Sequence, residues 1–373
     1  MRLAFFTNIP SIHQVGLGRA FAKRLRRNYA LVCWEPVDRE RSTLGWNDSF
    51  SEDWIIRAWL SKQERNRAID ILHSAQIVVW GYAPENEISS RISENKITFC
   101  YTERIFKRGR WRILDPRILV SIYKKFIINN KPNHHLLSVG PYCAQDFKWL
   151  HLFRNRMWRW GYFLEVPEII SRRFQLVPVV LWAGRMLDWK RVDLLIYAAA
   201  WAKKKNCKFM LRLIGDGPEK NKLQALVKKI KMEDNCEFVA PMPPQQVWHE
   251  MEQADIFVLS SDQQEGWGAV VNEAMCRGCC VIGSKAAGSV PWLIKDGENG
   301  FVFEGSRPED LGRILLFCIQ NSEQIRRSGE AARATIQSLW SPDIAAERFL
   351  SLCDAIEKGR PSPFNDGGPC SPA

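Results

Sequence analysis

Two cations follow a glycine where the chain should turn out of an apolar run. Arg185 comes directly after PVVLWAG, which ends at Gly184, and Lys190 follows five residues later. Positive charges at the mouth of a strand-to-helix turn suit neutralisation of a diphosphate. A second turn, Gly215-Asp216-Gly217-Pro218, follows KFMLRLI, and its glycines admit positive φ or a close backbone approach to a ligand. After DIFVLSS comes EGWGAVVNE, with Glu265, a Gly266-Trp267-Gly268 turn and Glu273. A helix starting near Gly268 would present the N–H groups of Gly268, Ala269 and Val270 to an anion, and a pyrophosphate fits there. Glu265 and Glu273 are too far apart to share one proton transfer. They are better placed to hold hydroxyls at two ends of an elongated ligand, a sugar at one and a ribose at the other. Ala287-Gly288-Ser289, after VIGS, is a further small-residue loop.

These loops need a scaffold that brings several strand ends to one edge. Between residues 178 and 284, apolar runs of four to seven alternate with amphipathic stretches such as KRVDLLIYAAAWAKKK and PEKNKLQALVKKIK. That alternation predicts a doubly wound α/β domain with a parallel sheet, whose ligands sit at the carboxyl ends of the strands. In the first half RLAFFTNI, YALVCW, AQIVVWG, NKITFCY and HHLLSVG read as strands and GRAFAKRLRR as a helix, predicting a second α/β domain. The expected divisions are an N-terminal α/β domain over 1–170, a C-terminal α/β domain over 171–345 and a C-terminal helix with a disordered tail over 346–373. The linker is expected at 164–177, and Trp340-Ser341-Pro342 should end one helix and start another.

At these residues the sequence resembles glycosyltransferase family 4, the retaining nucleotide-sugar transferases of the GT-B fold. The resemblance rests on Gly184-Arg185 with Lys190, the GDGPE turn, the Glu265 and Glu273 pair and the later turn Asn299-Gly300-Phe301, in order over most of 178–345. It implies two Rossmann-like domains facing across a cleft, with Arg185 and Lys190 holding the diphosphate, Glu265 the donor sugar hydroxyls and Glu273 the ribose. It implies a saccharide or lipid-linked acceptor, as in bacterial capsule, O-antigen or lipopolysaccharide assembly. No cofactor or metal is expected beyond the nucleotide-diphosphate sugar as co-substrate, since the two cations stand in for a metal and the chain has no Asp-x-Asp.

The first half matches less closely. Gly16-x-Gly18 precedes the expected helix without the third glycine of a dinucleotide fingerprint. The resemblance places a donor-closing loop here, which makes Gly16 a donor-side candidate. The family commonly has a His or an acid after a later strand, facing the reacting carbon; here NKITFCYT runs into Glu103, the positional equivalent and so the catalytic candidate, whose structural alternative is an ion pair with Arg104 or Arg108. His134 and His135 open a strand and read as structural, and Tyr142-Cys143 reads as packing.

Charge and composition set the remaining bounds. A hydrophobic share of 46% with 25% charged residues excludes wholesale disorder. Residues 1–173 hold 29 Lys and Arg against 16 Asp and Glu, a net +13, while the remainder holds 24 against 25. Such a split points to an anionic partner on one side only. The segment RILVSIYKKFIINNK combines Ile118, Leu119, Ile122, Phe126 and Ile127 with Lys124, Lys125 and Lys131, and WRWGYF lies at 158–163. Together these suit an anionic membrane surface, against the alternative of a buried helix with a solvated basic face. No run approaches the length of a membrane span, so a cytoplasmic protein is expected, peripheral at the inner face of the membrane. The cysteines scattered in apolar runs read as reduced, and the one cluster, Cys276, Cys279 and Cys280, resembles half of a metal site by spacing but lacks a second Cys or His pair nearby, which favours helix-end packing. Two other readings are a nucleotide-sugar epimerase of the same fold and a basic nucleic-acid-binding protein. No nucleic-acid motif accompanies the charge, and no nucleic acid is expected as partner.

Overall fold

The computed structural model describes residues 1–38, 42, 48–167 and 177–373. The chain forms two compact units, one of Met1–Leu164 with Leu339–Ala373 and one of Glu165–Ser338.

In the first unit the described strands are β1 (Leu3–Thr7), β2 (Tyr29–Cys33), β3 (Ile55–Arg57), β4 (Ile77–Trp80), β5 (Thr98–Thr102), β6 (His134–Val139) and β7 (Met157–Trp160). They form one parallel sheet in the order β3-β2-β1-β4-β5-β6-β7. Runs such as LAFFT and IVVW are apolar throughout because helices cover both faces of the sheet, and every residue of β1 and β4 is buried. In the second unit β8 (Val179–Ala183), β9 (Met210–Ile214), β10 (Cys236–Val239), β11 (Ile256–Leu259), β12 (Cys280–Ser284) and β13 (Phe301–Phe303) run parallel in the order β10-β9-β8-β11-β12-β13. Both sheets therefore wind outward in two directions from a central pair, β1 with β4 and β8 with β11. That reversal of order leaves a crevice outside the carboxyl ends of the central strands.

The end of the chain departs from expectation. Residues 339–373 join the first unit instead of closing the second or standing apart, and the unit boundary falls at 164/165. Of the expected linker, 168–176 lies outside the described residues. The physical reason for the return is aromatic packing. Phe349, on the helix Pro342–Glu357, has its ring 5.0 Å from Phe99, 5.7 Å from Phe21 and 5.5 Å from Trp160. The helix begins after the Trp-Ser-Pro break, where Ser341 Oγ accepts from the Ile344 N–H. Nor is the tail disordered. Arg159 N–H donates to Ser371 O (2.8 Å), Cys370 N–H to Arg159 O (2.9 Å) and Ala373 N–H to Met157 O (3.0 Å), so the last residues line the open edge of β7. Arg348 holds Asp366 through two hydrogen bonds of 2.8 and 2.5 Å.

Two readings of the basic half also change. WRWGYF begins in the edge strand β7, which pairs with β6, and Trp160 and Phe163 are buried in the first unit. In the helix Pro116–Ile122 and the π-helical turn Tyr123–Ile127, Ile122 and Phe126 point into the core, where Phe126 meets Phe147 edge-on at 4.9 Å. They are not part of an outer apolar face.

Candidate functional site

The loops after β8, β9 and β11 interlock, and the glycines explain how. Gly184 N–H donates to Ile214 O (3.0 Å), Met186 N–H to Asp216 O (2.7 Å) and Glu219 N–H to Met186 O (3.1 Å). A Cβ on Gly215 would run into the Gly184 carbonyl, and one on Gly217 into the Met186 carbonyl. Both glycines also have positive φ, 136° and 155°, which L side chains rarely adopt. Gly215 and Gly217 thus let the loop carrying Arg185 rest directly on the GDGPE turn. Arg185 itself is exposed.

Lys190 closes the short 3₁₀ turn Asp188–Lys190 before the helix Val192–Lys203. Ser260 Oγ donates to its carbonyl (2.7 Å), and Asp262 N–H donates to Trp189 O (2.9 Å), tying this turn to the end of β11. On the other side of that junction Asp262 caps its own turn, accepting from Gln264 N–H through its side chain (2.8 Å) and from Glu265 N–H through its carbonyl (3.1 Å). The turn aims Glu265 back at Lys190. Lys190 Nζ donates to Glu265 Oε2 at 2.5 Å, Ser261 Oγ donates to the same oxygen at 2.8 Å, and the ammonium lies 4.5 Å from the Trp189 ring centroid. Glu265 is buried, 7% exposed, so its charge depends on those donors.

Gly268 has φ 82° and turns the chain into the helix Val270–Cys276. Val271 N–H donates to Gly268 O and Glu273 N–H to Ala269 O. The turn is braced from β12, because Gly288 N–H donates to Gly266 O (2.9 Å) and Ser289 N–H to Trp267 O (2.9 Å). This is the task of the Ala287-Gly288-Ser289 loop. Trp267 is fully buried and donates through Nε1 to Asn272 Oδ1 (2.7 Å). Glu273 is half-buried and accepts from Trp248 Nε1 (3.1 Å). The second unit thus carries Gly184, Arg185, Lys190, Gly215, Gly217, Glu265, Gly268, Ala269, Val270 and Glu273 on the loops, the 3₁₀ turn and the first helical turn that follow β8, β9 and β11, with Lys190 and Glu265 in direct contact. Ser260, Ser261 and Asp262, which position that pair, carry no motif beyond following a strand. Trp248 reaches Glu273 from a separate helix, Pro244–Gln253.

The first-unit candidates fare differently. Glu103 lies just past β5, where Lys107 Nζ donates to Oε2 (2.6 Å) and the Tyr162 hydroxyl to Oε1 (3.4 Å). The ion pair is with Lys107. Arg104 instead approaches Asp146 (3.8 Å) and stacks on Tyr142. Asp146, 1% exposed, accepts from Ile105 N–H (3.1 Å) and Phe106 N–H (3.0 Å), fixing the backbone after Glu103. Burial pushes its carboxyl above the usual range, against those two hydrogen bonds and Arg104. Gly16 corrects its expectation. It is buried in the helix Ile12–Leu25, which starts right after Ser11, so it is not in a loop able to close over anything. Its neighbour Gly18 clears the Trp54 ring, which a Cβ would overlap. Cys276, Cys279 and Cys280 are buried, with Cys279 Sγ donating to Met251 O (3.0 Å). Among the described residues no group of His, Cys, Asp or Glu is placed to hold a metal ion.

Residues 171–335 match the family model described as "Glycosyl transferases group 1". A poly(ribitol-phosphate) alpha-N-acetylglucosaminyltransferase of Staphylococcus aureus is 26% identical over 182 residues, 48% of this chain and 36% of that protein. The lipopolysaccharide core biosynthesis glycosyltransferase LpsE of Rhizobium meliloti is 26% identical over 175 residues, 47% of this chain and 49% of that protein. The chain spans less than half the length of these relatives. Among solved structures, Anabaena Alr3699/HepE in complex with UDP superposes with a TM-score of 0.69 over 95% of this chain and all of that one, at 15% identity. The fold is that of the GT-B glycosyltransferases, two Rossmann-like α/β units.

Proposed function

We propose that the chain is a retaining glycosyltransferase of the family 4 type, moving a sugar from a nucleotide diphosphate donor to a hydroxyl of a saccharide or lipid-linked acceptor in cell-surface polysaccharide assembly. The observation that carries this reading is the meeting of Lys190 and Glu265, 2.5 Å apart, at the ends of β8 and β11. Those strands flank the reversal of strand order, where an open α/β sheet binds its ligand. Arg185 and Lys190 supply positive charge for a diphosphate leaving group, which gains negative charge as the bond to the sugar breaks. Glu265, with one oxygen already held by Lys190 and Ser261, is an acceptor for donor sugar hydroxyls. Glu273, one side braced by Trp248, is an acceptor for the ribose, and the start of the helix at Gly268, Ala269 and Val270 takes a phosphate. Glu103 serves the acceptor side. The similarity to a poly(ribitol-phosphate) alpha-N-acetylglucosaminyltransferase and to a lipopolysaccharide core biosynthesis glycosyltransferase supports the acceptor class, and the likeness to a structure in complex with UDP supports the donor class.

The test is a thermal-shift screen of the full chain against nucleotide diphosphate sugars, followed by product analysis with saccharide and lipid-linked acceptors. A stabilising donor whose sugar reaches the acceptor with its anomeric configuration kept is the expected result. Inverted product would overturn retention. Donor converted to its epimer without acceptor would make the chain an epimerase.

A further inference from the structure

The first sheet also borders a cavity at its other edge. Its volume of about 620 Å³ is within the range of small-molecule sites. It lies at the start of β1, β2 and β3, whereas Glu103 follows the carboxyl end of β5. An open parallel sheet binds its usual ligand at the carboxyl ends, so the fold itself assigns nothing here.

Four arginines from three elements line the cavity: Arg2 just before β1, Arg26 and Arg27 in the 3₁₀ turn after the helix Ile12–Leu25, and Arg67 on the helix Lys62–Ser74. Basic residues at a helix end complement its dipole, which accounts for Arg26 and Arg27 but not for Arg2 or Arg67. Other arginines of this unit find acids, Arg19 pairing with Glu52, Arg24 with Asp343 and Arg57 with Asp48. Among the described residues no ion pair engages Arg2, Arg26 or Arg27, and Arg67 reaches only Glu64 on its own helix, at 3.3 Å. Like charges around one cavity repel one another and attract an anion into it. Arg26 also holds a φ of 50° with ψ −125°, a conformation L side chains rarely adopt, and such strain gathers where a site needs its geometry.

The rest of the lining narrows the ligand. Asp53 and Asp70 disfavour a bare polyanion and offer acceptors to hydroxyls. Trp54 supplies an aromatic wall, fixed by Leu31 N–H, which donates to its carbonyl (2.9 Å), and by the Tyr29 ring 5.4 Å away. One compact anion, several hydroxyls and an apolar ring face together describe a phosphorylated sugar.

We propose that this cavity is a second ligand site of the chain, taking a phosphorylated saccharide with its phosphate on Arg2, Arg26 and Arg27 and its hydroxyls on Asp53 and Asp70. A free sugar phosphate and a phosphate-bearing unit of a glycan present the same groups. None of these residues belongs to the donor loops or follows β5, so the proposal stands apart from the glycosyl-transfer reading.

Isothermal titration calorimetry of the full chain with glucose 6-phosphate, mannose 6-phosphate, inorganic phosphate and glucose tests it. A sugar phosphate binds roughly 10-fold or more tighter than inorganic phosphate or glucose, since each half alone leaves part of the site unmet. Arg2→Ala with Arg27→Ala weakens that binding roughly 10-fold or more, through lost charge-assisted hydrogen bonds. Asp70→Ala weakens the sugar phosphate while inorganic phosphate binds no worse. Arg26→Gly separates ligand contact from a structural role: it relieves the backbone and removes the guanidinium, so the thermal midpoint of the free chain rises while affinity for the sugar phosphate falls. Lys190→Ala and Glu103→Gln leave that affinity unchanged. A soluble phosphodiester-linked glycan that displaces the sugar phosphate identifies a polymer as the source, and failure to displace it identifies the free sugar phosphate. Equal affinity in wild type and the double arginine variant, loss of binding in Lys190→Ala or Glu103→Gln, or inorganic phosphate binding as tightly as either sugar phosphate would each overturn the proposal. So would the absence of binding by any of the four probes at about 10 mM.

Discussion

Lys190 Nζ and Glu265 Oε2 lie 2.5 Å apart although 75 residues separate them in the chain. With side-chain exposures of 17% and 10%, the pair is shielded enough that each charge depends on the other. A change at either residue therefore acts twice, on the proposed donor contact and on its partner.

Lys190→Ala is expected to lower kcat/KM by roughly 10² or more, the usual cost of removing one group aimed at developing charge. Glu265→Gln keeps the shape and the Ser261 contact, so it should weaken donor binding with little loss of fold. In a double-mutant cycle the combined variant should lose less than the two single variants together, because the first change already breaks the pair. Strictly additive losses would separate the two residues functionally.

Chelation should leave activity in place. Arg185 and Lys190 put fixed positive charge beside the proposed diphosphate site, and this charge needs no bound ion. Complete loss of turnover in EDTA, restored by a divalent cation, would show that the two side chains do not suffice.

Gly215 makes the support of Arg185 testable apart from its charge. Gly215→Ala would place a methyl against the Gly184 carbonyl at a φ of 136°. Because backbone cannot yield as a flexible side chain does, the expected cost is about 2 kcal/mol or more, together with weaker nucleotide binding. Gly297, with φ 76° and open space around it, is the control: Gly297→Ala should cost about 1 kcal/mol from backbone strain and leave affinity unchanged. Equal effects on binding would deny the Gly184–Gly215 contact its positioning role.

Phe349 tests the return of the chain. It is fully buried among Phe5, Phe21, Phe99 and Trp160 of the first unit. Phe349→Ala should therefore cost about 3–5 kcal/mol, and hydrogen exchange should accelerate in β1 and β5 while β8 and β11 keep their protection. Loosening confined to the second unit would place the last helix there.

Most of the second unit was legible in sequence because β8, β9, β11 and β12 are apolar runs closed by a glycine or a serine, and parallel order then sends the following loops to one edge. β3 and β13 escaped because strands of three residues offer too little periodicity, and β7 because its aromatic and basic residues read as a surface patch. β7 was further disguised by Arg159, whose Nη1 reaches Gly367 O (3.0 Å) in the tail. A tail rich in Pro and Gly reads as disordered when nothing local can pair with it; its partners lie some 210 residues earlier, at Met157 and Arg159. Arg185, Lys190, Glu265 and Glu273 could be named from spacing, whereas contact between Lys190 and Glu265 depends on the β8–β11 adjacency, which periodicity alone does not reveal. Gly16 misled because glycine before an amphipathic run looks like a loop, yet here the helix Ile12–Leu25 already runs through it.

His134 and His135 give the first unit an acid-sensitive stability. His134 is fully buried; its Nδ1 donates to Asn129 O (2.8 Å), and its Nε2 accepts from Trp80 Nε1 (3.4 Å). A proton on Nε2 would face the Trp80 N–H with no solvent to screen it. Burial lowers the His134 pKa to about 4 and the His135 pKa to about 3, and the nearby Arg156 guanidinium pushes both the same way. In the unfolded chain both titrate near 6.5. Below that value the unfolded state binds protons that the folded state refuses. Stability is therefore full above about pH 6.5 and declines as pH falls toward 4 and 3, with a slope approaching about 1.4 kcal/mol per pH unit for each histidine. His134→Gln can keep both hydrogen bonds without titrating, so it should flatten the decline between pH 6.5 and 4 by about one histidine's share. Urea midpoints read by hydrogen-exchange mass spectrometry of the β6 peptide at several pH values measure that slope. An identical slope in wild type and His134→Gln would mean that His134 is not the group resisting the proton.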